Sequence, residues 1–310
     1  MKPLYHRFLP VLTGMLCLGV FGLRAQSVRE TTRSGLPAFS RIALGGNFQM
    51  ELRYGKQYQA RLGVEELFEE YVEFRVADST LTVWMDERRV PVEVRRLFRG
   101  KDAASPSFRL VVTMPETLRA LHLTDQAALL AAEDLVVAPS GIEIRATDNA
   151  RIAAFALAAD RVSVELDKRA EASLQVRCDS LAVRLGGSST LELAQDSRVS
   201  EIEGAGSSSL VMTGETRRLA LQARASAKII LNGTAPMMRC QLSGSAHVNA
   251  VNLETEVTRS EQSGFSTLIE AASRDLFVDL SSGATLIFLN EPAVHVLNVK
   301  NATLIPYDRR

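Results

Sequence analysis

The sequence predicts an all-β fold in which the chain winds into a solenoid of parallel strands. Short segments of alternating apolar and polar residues, typical of strands with one buried face, follow one another over residues 118–306. A small residue recurs about every 19 residues, usually after a polar or Gly-rich corner. The apolar residues lie two apart, and Val, Ile and Thr are abundant, which argues against a helical repeat.

The recurring small residue, here called the corner residue, sets the register of the coils. It is Ala127, Ala150, Ala170, Ser189, Ser208, Ala227, Ala246, Ser266, Ala284 or Ala302. Six residues before it stands Leu, Ile, Val or Cys, with Ser260 as the exception. Equivalent residues of successive coils should lie about 4.8 Å apart, so these columns predict a continuous core. The corner residue must be small because a corner between two sheets leaves little room inside.

Residues 39–117 alternate less regularly and are predicted to form an irregular β cap at the N-terminal end. Such a cap stops the open end of a solenoid from pairing with other chains. Within it, the segment VEFRVADSTLTVWM predicts a hairpin that turns at residues 77–79. The Pro, Gly, Ser and charged residues that follow the hairpin predict a loop or an exposed edge.

The N-terminus has the pattern of a secretory signal peptide. Basic residues precede an apolar stretch that ends in Leu-Arg-Ala at Ala25. Leu16 precedes Cys17 and further apolar residues follow it, which disfavours a lipoprotein. We expect a cleaved signal peptide over residues 1–25, a linker over residues 26–38, and export to the periplasm or the cell surface.

Composition and cysteine content limit the partners. The 36 basic and 36 acidic residues cancel, so no overall field attracts nucleic acid. Cleavage leaves Cys178 and Cys240, which stand about three coils apart, and a disulfide requires Cα atoms within about 7 Å. We therefore predict two free thiols.

Several passages resemble a known family. The segments FSRIALGGNFQMELRYG, LTVWM and VVTMPETLRALHL, with the recurring GSS and GSA corners, are similar to the auto-transporter adhesin head domain called the GIN domain. The resemblance covers residues 39–295, and such proteins are common among exported proteins of Bacteroidetes. It implies a right-handed parallel β-helix, an envelope location and an adhesive role. The first coils depart from the pattern, with TDQA, ATDNA and DKRA instead of Gly-Ser corners.

Parallel β-helices also include polysaccharide lyases and hydrolases, which use paired carboxylates or bound calcium. The candidates for a cation, ligand or catalytic site are Asp125, Asp148 and Asp167, on three adjacent coils. Asp is equally favoured at turns, where its side chain bonds the backbone. The three histidines that follow the signal peptide lie on distant coils, so spacing predicts neither a metal site nor a catalytic triad, and no cofactor is implied.

Two other sets of residues are candidates for binding. One basic cluster could meet an anionic ligand or form a solvated edge: Arg88, Arg89, Arg95, Arg96, Arg99 and Lys101. Three residues after the corner residue, several coils carry a large apolar side chain: Val211, Ile230, Ile269, Ile287 and Ile305. If these point outward they form an apolar strip for a partner or a second copy of the chain; otherwise they lie inside a wider coil.

The sequence thus favours an exported, non-catalytic envelope protein, an adhesin or a β-solenoid that binds glycan or protein along its length. The alternative is a polysaccharide-active enzyme that uses the acidic residues of the early coils. Neither nucleic acid nor a membrane-spanning segment after cleavage is expected, and a homo-oligomer stays open.

Overall fold

The computed structural model describes residues 28–86, 88–97, 106, 108–115, 117–132 and 136–307. The predicted signal peptide lies outside them. A 3-10 helix spans Glu66–Tyr71 and a short α-helix, α1, spans Val92–Leu97. The strands are β1 (Val28–Ser34), β2 (Arg41–Leu44), β3 (Gln49–Tyr54), β4 (Gln59–Glu65), β5 (Val72–Ala77), β6 (Thr80–Met85), β7 (Phe108–Met114), β8 (Ala120–Leu123), β9 (Ala128–Ala132), β10 (Val136–Ala138), β11 (Ile142–Ala146), β12 (Arg151–Leu166), β13 (Glu171–Leu185), β14 (Thr190–Gly204), β15 (Ser209–Ala223), β16 (Lys228–Thr234), β17 (Met237–Leu242), β18 (His247–Gln262), β19 (Thr267–Ser281), β20 (Thr285–Phe288), β21 (Ala293–Lys300) and β22 (Thr303–Pro306).

The chain forms a parallel β-solenoid of about ten turns, with coils about 19 residues apart, as predicted. Successive long strands pair in parallel; Val183 of β13 lies beside Ile202 of β14, which lies beside Leu221 of β15. The same column continues to Cys240, Ser260 and Val278, and all of these side chains are buried. The predicted register is therefore confirmed.

Each coil closes through a tight corner. In the corner after β13, the Ser189 N–H donates to the Gly186 carbonyl at 3.1 Å. From Ala127 to Ala284, the residue two positions before the corner residue has positive φ, as at Gly206, where φ is 68°. A Cβ on Gly206 would lie 2.5 Å from the Gly187 carbonyl oxygen of the coil below. Glycine, which has no Cβ, avoids that contact. Ser208, two residues later, is only 1% exposed, so the corner has no room for a larger side chain.

Part of the predicted cap is a regular coil. β2 and β3 pair in parallel with β8 and β9, and Phe48 occupies the position of the corner residue. β6 and β7 pair with the outer sides of β2 and β3. The antiparallel strands β5, β4 and β1 then close the end, so residues 39–117 contain both coils and cap.

The predicted hairpin is present, because Ala77 pairs with Thr80 around Asp78 and Ser79, both of which have positive φ. The segment predicted as a linker, residues 26–38, carries strand β1. This strand is mostly exposed and polar, and it is held by antiparallel pairing along the edge of β4. Since β1 buries no apolar face, the sequence carries no strand pattern there.

Both described cysteines are free, as predicted. Cys178 lies in the coil of Val183, and three successive strand pairings separate Val183 from Cys240. Burial raises the pKa of Cys178 to about 11 and also raises the pKa of Cys240. Both thiols are therefore weak nucleophiles.

Candidate binding surfaces

The apolar residues three positions after the corner residue point outward. Val211, Ile230 and Ile305 are 39%, 43% and 42% exposed, while Ile269 and Ile287 are half-buried. Ladder pairing joins them into one column with Asn249 between Ile230 and Ile269. This column, here called the isoleucine strip, extends about 24 Å along the solenoid.

Threonines flank the isoleucine strip in the C-terminal coils. Thr267, Thr285 and Thr303 pair with one another and each stands two residues before a strip isoleucine. β-branched residues repeated at the coil spacing give a regular surface of methyl and hydroxyl groups. Such a surface is suited to contact with a macromolecule.

A groove lies on the other side of the corner, across successive coils. Its outward-facing lining residues are Val199, Glu201, Arg218, Ala220, Met237, Arg239, Val257, Arg259 and Phe277. They form two columns, because Val199, Arg218, Met237 and Val257 pair in succession, as do Glu201, Ala220, Arg239, Arg259 and Phe277. We call this site the arginine groove; its volume is about 450 Å³.

The shape of the arginine groove follows from one short side chain. Ala220 stands between Glu201 and Arg239 in its column, and it leaves a depression there. Met237, on the neighbouring column, is 53% exposed. Val199 and Val257 are half-buried on that column, so the groove has an apolar side.

The guanidinium groups of the groove differ in their partners. Arg239 donates to Glu261 at 2.9 Å. Within the described part of the chain, neither Arg218 nor Arg259 has a carboxylate within ion-pair distance. The groove therefore has three guanidiniums and one lining carboxylate, Glu201, and two of the three guanidiniums have no carboxylate partner among the described residues.

The Phe277 ring closes one end of the groove. His295 stacks on it with ring centroids 4.4 Å apart and an interplanar angle of 13°. The Arg259 guanidinium lies 5.5 Å from the ring centroid. Arg259 and His295 belong to the coils on either side of Phe277, so both faces of the ring are occupied.

Comparison with known proteins identifies the family. The family model described as "Putative auto-transporter adhesin, head GIN domain" matches residues 38–197 and 181–292. The chain belongs to the GIN domain family. The resemblance inferred from the corner motifs and the N-terminal segments is thereby confirmed.

Solved structures share the fold of this GIN domain. A "putative adhesin" from Parabacteroides merdae ATCC 43184 has a TM-score of 0.51 at 12% identity, covering 92% of this chain and 98% of that chain. A "putative adhesin" from Parabacteroides distasonis ATCC 8503 has a TM-score of 0.50 at 13% identity, covering 90% and 97%. At these identities the likeness shows the fold alone. No curated protein matches the chain.

The acidic candidates of the GIN domain lie at its first corners. Asp125 and Asp148 have positive φ, at the position held by Gly206 in a later coil. Asp125 Oδ2 accepts from the Gly46 N–H at 2.9 Å, and Lys168 forms an ion pair with Asp148. The Lys168 hydrogen bond lowers the pKa of Asp148. These contacts hold the turns together.

Asp167 stands one position earlier in the third corner, where its carboxylate lies against Gly186 of the next coil. The acidic residues therefore follow one edge of the solenoid. Among the described residues, no three His, Cys, Asp or Glu side chains gather as a metal site would require.

The basic cluster lies near the cap, away from the arginine groove. Arg88 and Arg89 follow β6, and Arg95 and Arg96 lie on α1, whereas Arg99 and Lys101 fall outside the described residues. Arg89 Nη1 lies 3.7 Å from Glu73 Oε1. An anionic ligand at this cluster stays a prediction.

The arginine groove was not among the sites that the sequence predicted. Its residues come from five coils and occupy outward positions, where no packing constraint produces a repeated residue type. The available signal was the presence of the large apolar residues Met237, Val257 and Phe277 at outward positions of successive coils.

Proposed function

We propose that the chain is an exported, non-catalytic envelope protein that adheres to a protein or glycan partner through the isoleucine strip. The supporting observation is the strip itself, in which five apolar side chains face outward in one column. Exposed apolar columns of this length are uncommon on proteins that act alone, and they mark interaction surfaces. The threonine column beside it supplies hydroxyl groups for a polar rim.

Membership of the adhesin head family supports the same role. Export rests on the predicted signal peptide. No helix in the described part of the chain is long and apolar enough to cross a bilayer. We expect N-terminal sequencing of the exported protein to begin near Gln26. An intact Met1 at the N-terminus of the exported protein would contradict the proposed cleavage.

The adhesive role is tested with the purified protein on an array of glycans and on immobilised envelope and host-surface proteins. We expect saturable binding that Ile230→Lys with Ile287→Lys reduces tenfold or more, because each charge replaces apolar contact area. The matched control is Ser163→Lys with Ala182→Lys, which places two charges on the other side of the corner. Equal loss in both double variants would contradict a role for the strip.

The enzyme alternative is tested separately. Incubation with acidic polysaccharides, with and without calcium, should yield no cleavage products from either the parent or Asp148→Ala. Cleavage by the parent that Asp148→Ala abolishes would replace the adhesive proposal with a catalytic one.

A further inference from the structure

We propose that the arginine groove binds a free amphipathic monoanion, a medium-chain or long-chain carboxylate, independently of the isoleucine strip. The carboxylate lies between the guanidiniums of Arg218 and Arg259, and the hydrocarbon chain lies along Met237 and Val257, the apolar residues that follow Arg218 in its column. This site lies on the other side of the corner from the strip, so the two can be occupied separately.

Charge complementarity indicates that the groove binds an anionic group. Arg218 and Arg259 are exposed, and neither has a carboxylate within ion-pair distance among the described residues. Elsewhere on the same sheet arginines face glutamates, as Arg184 faces Glu203 at 3.8 Å. Guanidinium groups bind carboxylates through charge-assisted hydrogen bonds. Two guanidiniums without a carboxylate partner among the described residues, beside one depression, therefore favour an anionic group.

The apolar residues that follow Arg218 in its column indicate that the ligand has a hydrocarbon chain. Arg218, Met237 and Val257 stand on successive coils, so Val257 lies two coils, or about 10 Å, beyond Arg218 along the groove. Met237 lies between them with half of its surface exposed. Methionine is flexible and polarisable, so it adapts to a chain of variable conformation. A linear hydrocarbon fits this column better than a branched polar molecule does.

The Phe277 stack disfavours a sugar at the same site. Binding of a sugar ring by an aromatic residue requires an uncovered ring face, and His295 and Arg259 occupy the two faces of Phe277. A membrane surface is disfavoured by charge. An anionic membrane would have to cover the next outward column as well, where Glu203, Glu261 and Asp279 would repel its headgroups, whereas a single carboxylate contacts the groove alone.

The test measures binding of the carboxylates from hexanoate to tetradecanoate, below their micelle concentrations, by calorimetry on the purified full chain. We expect a single saturable site. Each added pair of methylenes should tighten Kd about fivefold until the chain outgrows the groove, because a groove open on one side buries part of each group. An absence of saturable binding for every chain length would overturn the proposal.

Variants separate the headgroup from the chain. Arg218→Gln with Arg259→Gln should weaken decanoate binding tenfold or more and leave decanol binding within twofold. Ala220→Leu, which fills the depression, should weaken both ligands. The matched control Arg184→Gln removes a guanidinium from the same sheet outside the groove and should change neither. Circular dichroism and thermal melting confirm that each variant is folded.

Two competing ligands, an acidic glycan and an anionic membrane, are tested against decanoate. Tighter binding of an oligogalacturonate than of decanoate, lost in the double arginine variant, would assign the groove to an acidic glycan and overturn the proposal. Binding of phosphatidylglycerol vesicles with no binding of free decanoate would likewise overturn it in favour of a membrane surface. A decanoate affinity that the double arginine variant leaves unchanged would show that the guanidiniums play no part.

Discussion

Ser260 interrupts the apolar column that otherwise runs through the solenoid six residues before each corner residue. It is fully buried, and its hydroxyl accepts a hydrogen bond from the Gln262 side-chain amide at 2.9 Å. Thr258, on the same strand, also points inward and is fully buried. Glu270 faces this strand from the other side of the coil. The exception in the sequence therefore marks a polar layer inside an apolar core, and the register is intact.

Glu270 is the titratable member of this layer. Its Oε2 accepts from the Ala272 N–H at 2.9 Å, and its side chain is fully buried. Burial raises its pKa from 4.5 to about 7, although hydrogen bonds from Thr258 and Ala272 favour the ionised form. The folded state thus retains a proton between pH 4.5 and pH 7 that the unfolded state has released.

We expect Glu270→Gln to stabilise the protein at pH 8 and to have little effect at pH 5. Since the folded pKa is above the unfolded pKa, the parent loses stability as pH rises from about 4.5 to about 7 and loses no more above that. The difference in the free energy of unfolding at pH 8 should approach about 3 kcal/mol. Urea unfolding at pH 5, 6, 7 and 8 measures it.

The control for this prediction is Glu192→Gln, which changes an exposed carboxylate four coils before that of Glu270. Its effect should stay within about 0.5 kcal/mol at every pH. A Glu270→Gln variant less stable than the parent at pH 8 would show that the ionised carboxylate contributes a favourable contact.

At the scale of the element, the coil is the unit that the sequence specifies. Stacked coils place equivalent residues above one another, so burial restricts most inward positions to apolar residues and the corner residues from Ala127 onward to Ala or Ser. These restrictions recur along the chain and could be recognised without a structure. The coil of β2 and β3 could not be recognised from the sequence, because residues 55–119 separate it from the coil on which it stacks.

We expect removal of residues 209–227 to leave a folded solenoid one coil shorter. Ser208 would then join Lys228, and β14 would pair with β16 in the register that β15 now has with each of them. The apolar columns stay continuous, so circular dichroism should retain the β signal and thermal unfolding should remain cooperative. The rod should shorten by about 4.8 Å, which small-angle scattering can measure.

Removal of residues 209–218 is the matched comparison. It deletes about half a coil, so the following strands must slip from their columns or bulge. A slipped register exposes apolar side chains and buries polar ones, at a cost of several kcal/mol, comparable with the stability of a small domain. Equal stability of the two deletions would refute the coil as an interchangeable unit.

At the scale of the whole molecule, stability should vary along the axis because each coil contacts only its neighbours. Val278 is fully buried, whereas its neighbour Val296 in β21 is 56% exposed. At the other end, β1 pairs with β4 and with no other strand that the structure describes. The same geometry explains why binding sites were harder to predict than the core: they spread over outward residues of several coils, which need not resemble one another.

We expect amide hydrogen exchange, followed by mass spectrometry, to be slowest in β13–β15 and to become faster toward β21 and β22. Strands in the middle have a hydrogen-bonded neighbour on both sides, while among the described strands β21 pairs only with β19. Opening can therefore begin at the ends and leave the middle intact.

A pair of substitutions tests the cause of this gradient. Val278→Ala should lower the free energy of unfolding by about 2 kcal/mol, and Val296→Ala by less than about 0.5 kcal/mol. Protection in β21 equal to that in β14, together with equal costs of the two substitutions, would mean that the last coil is covered as fully as the middle ones.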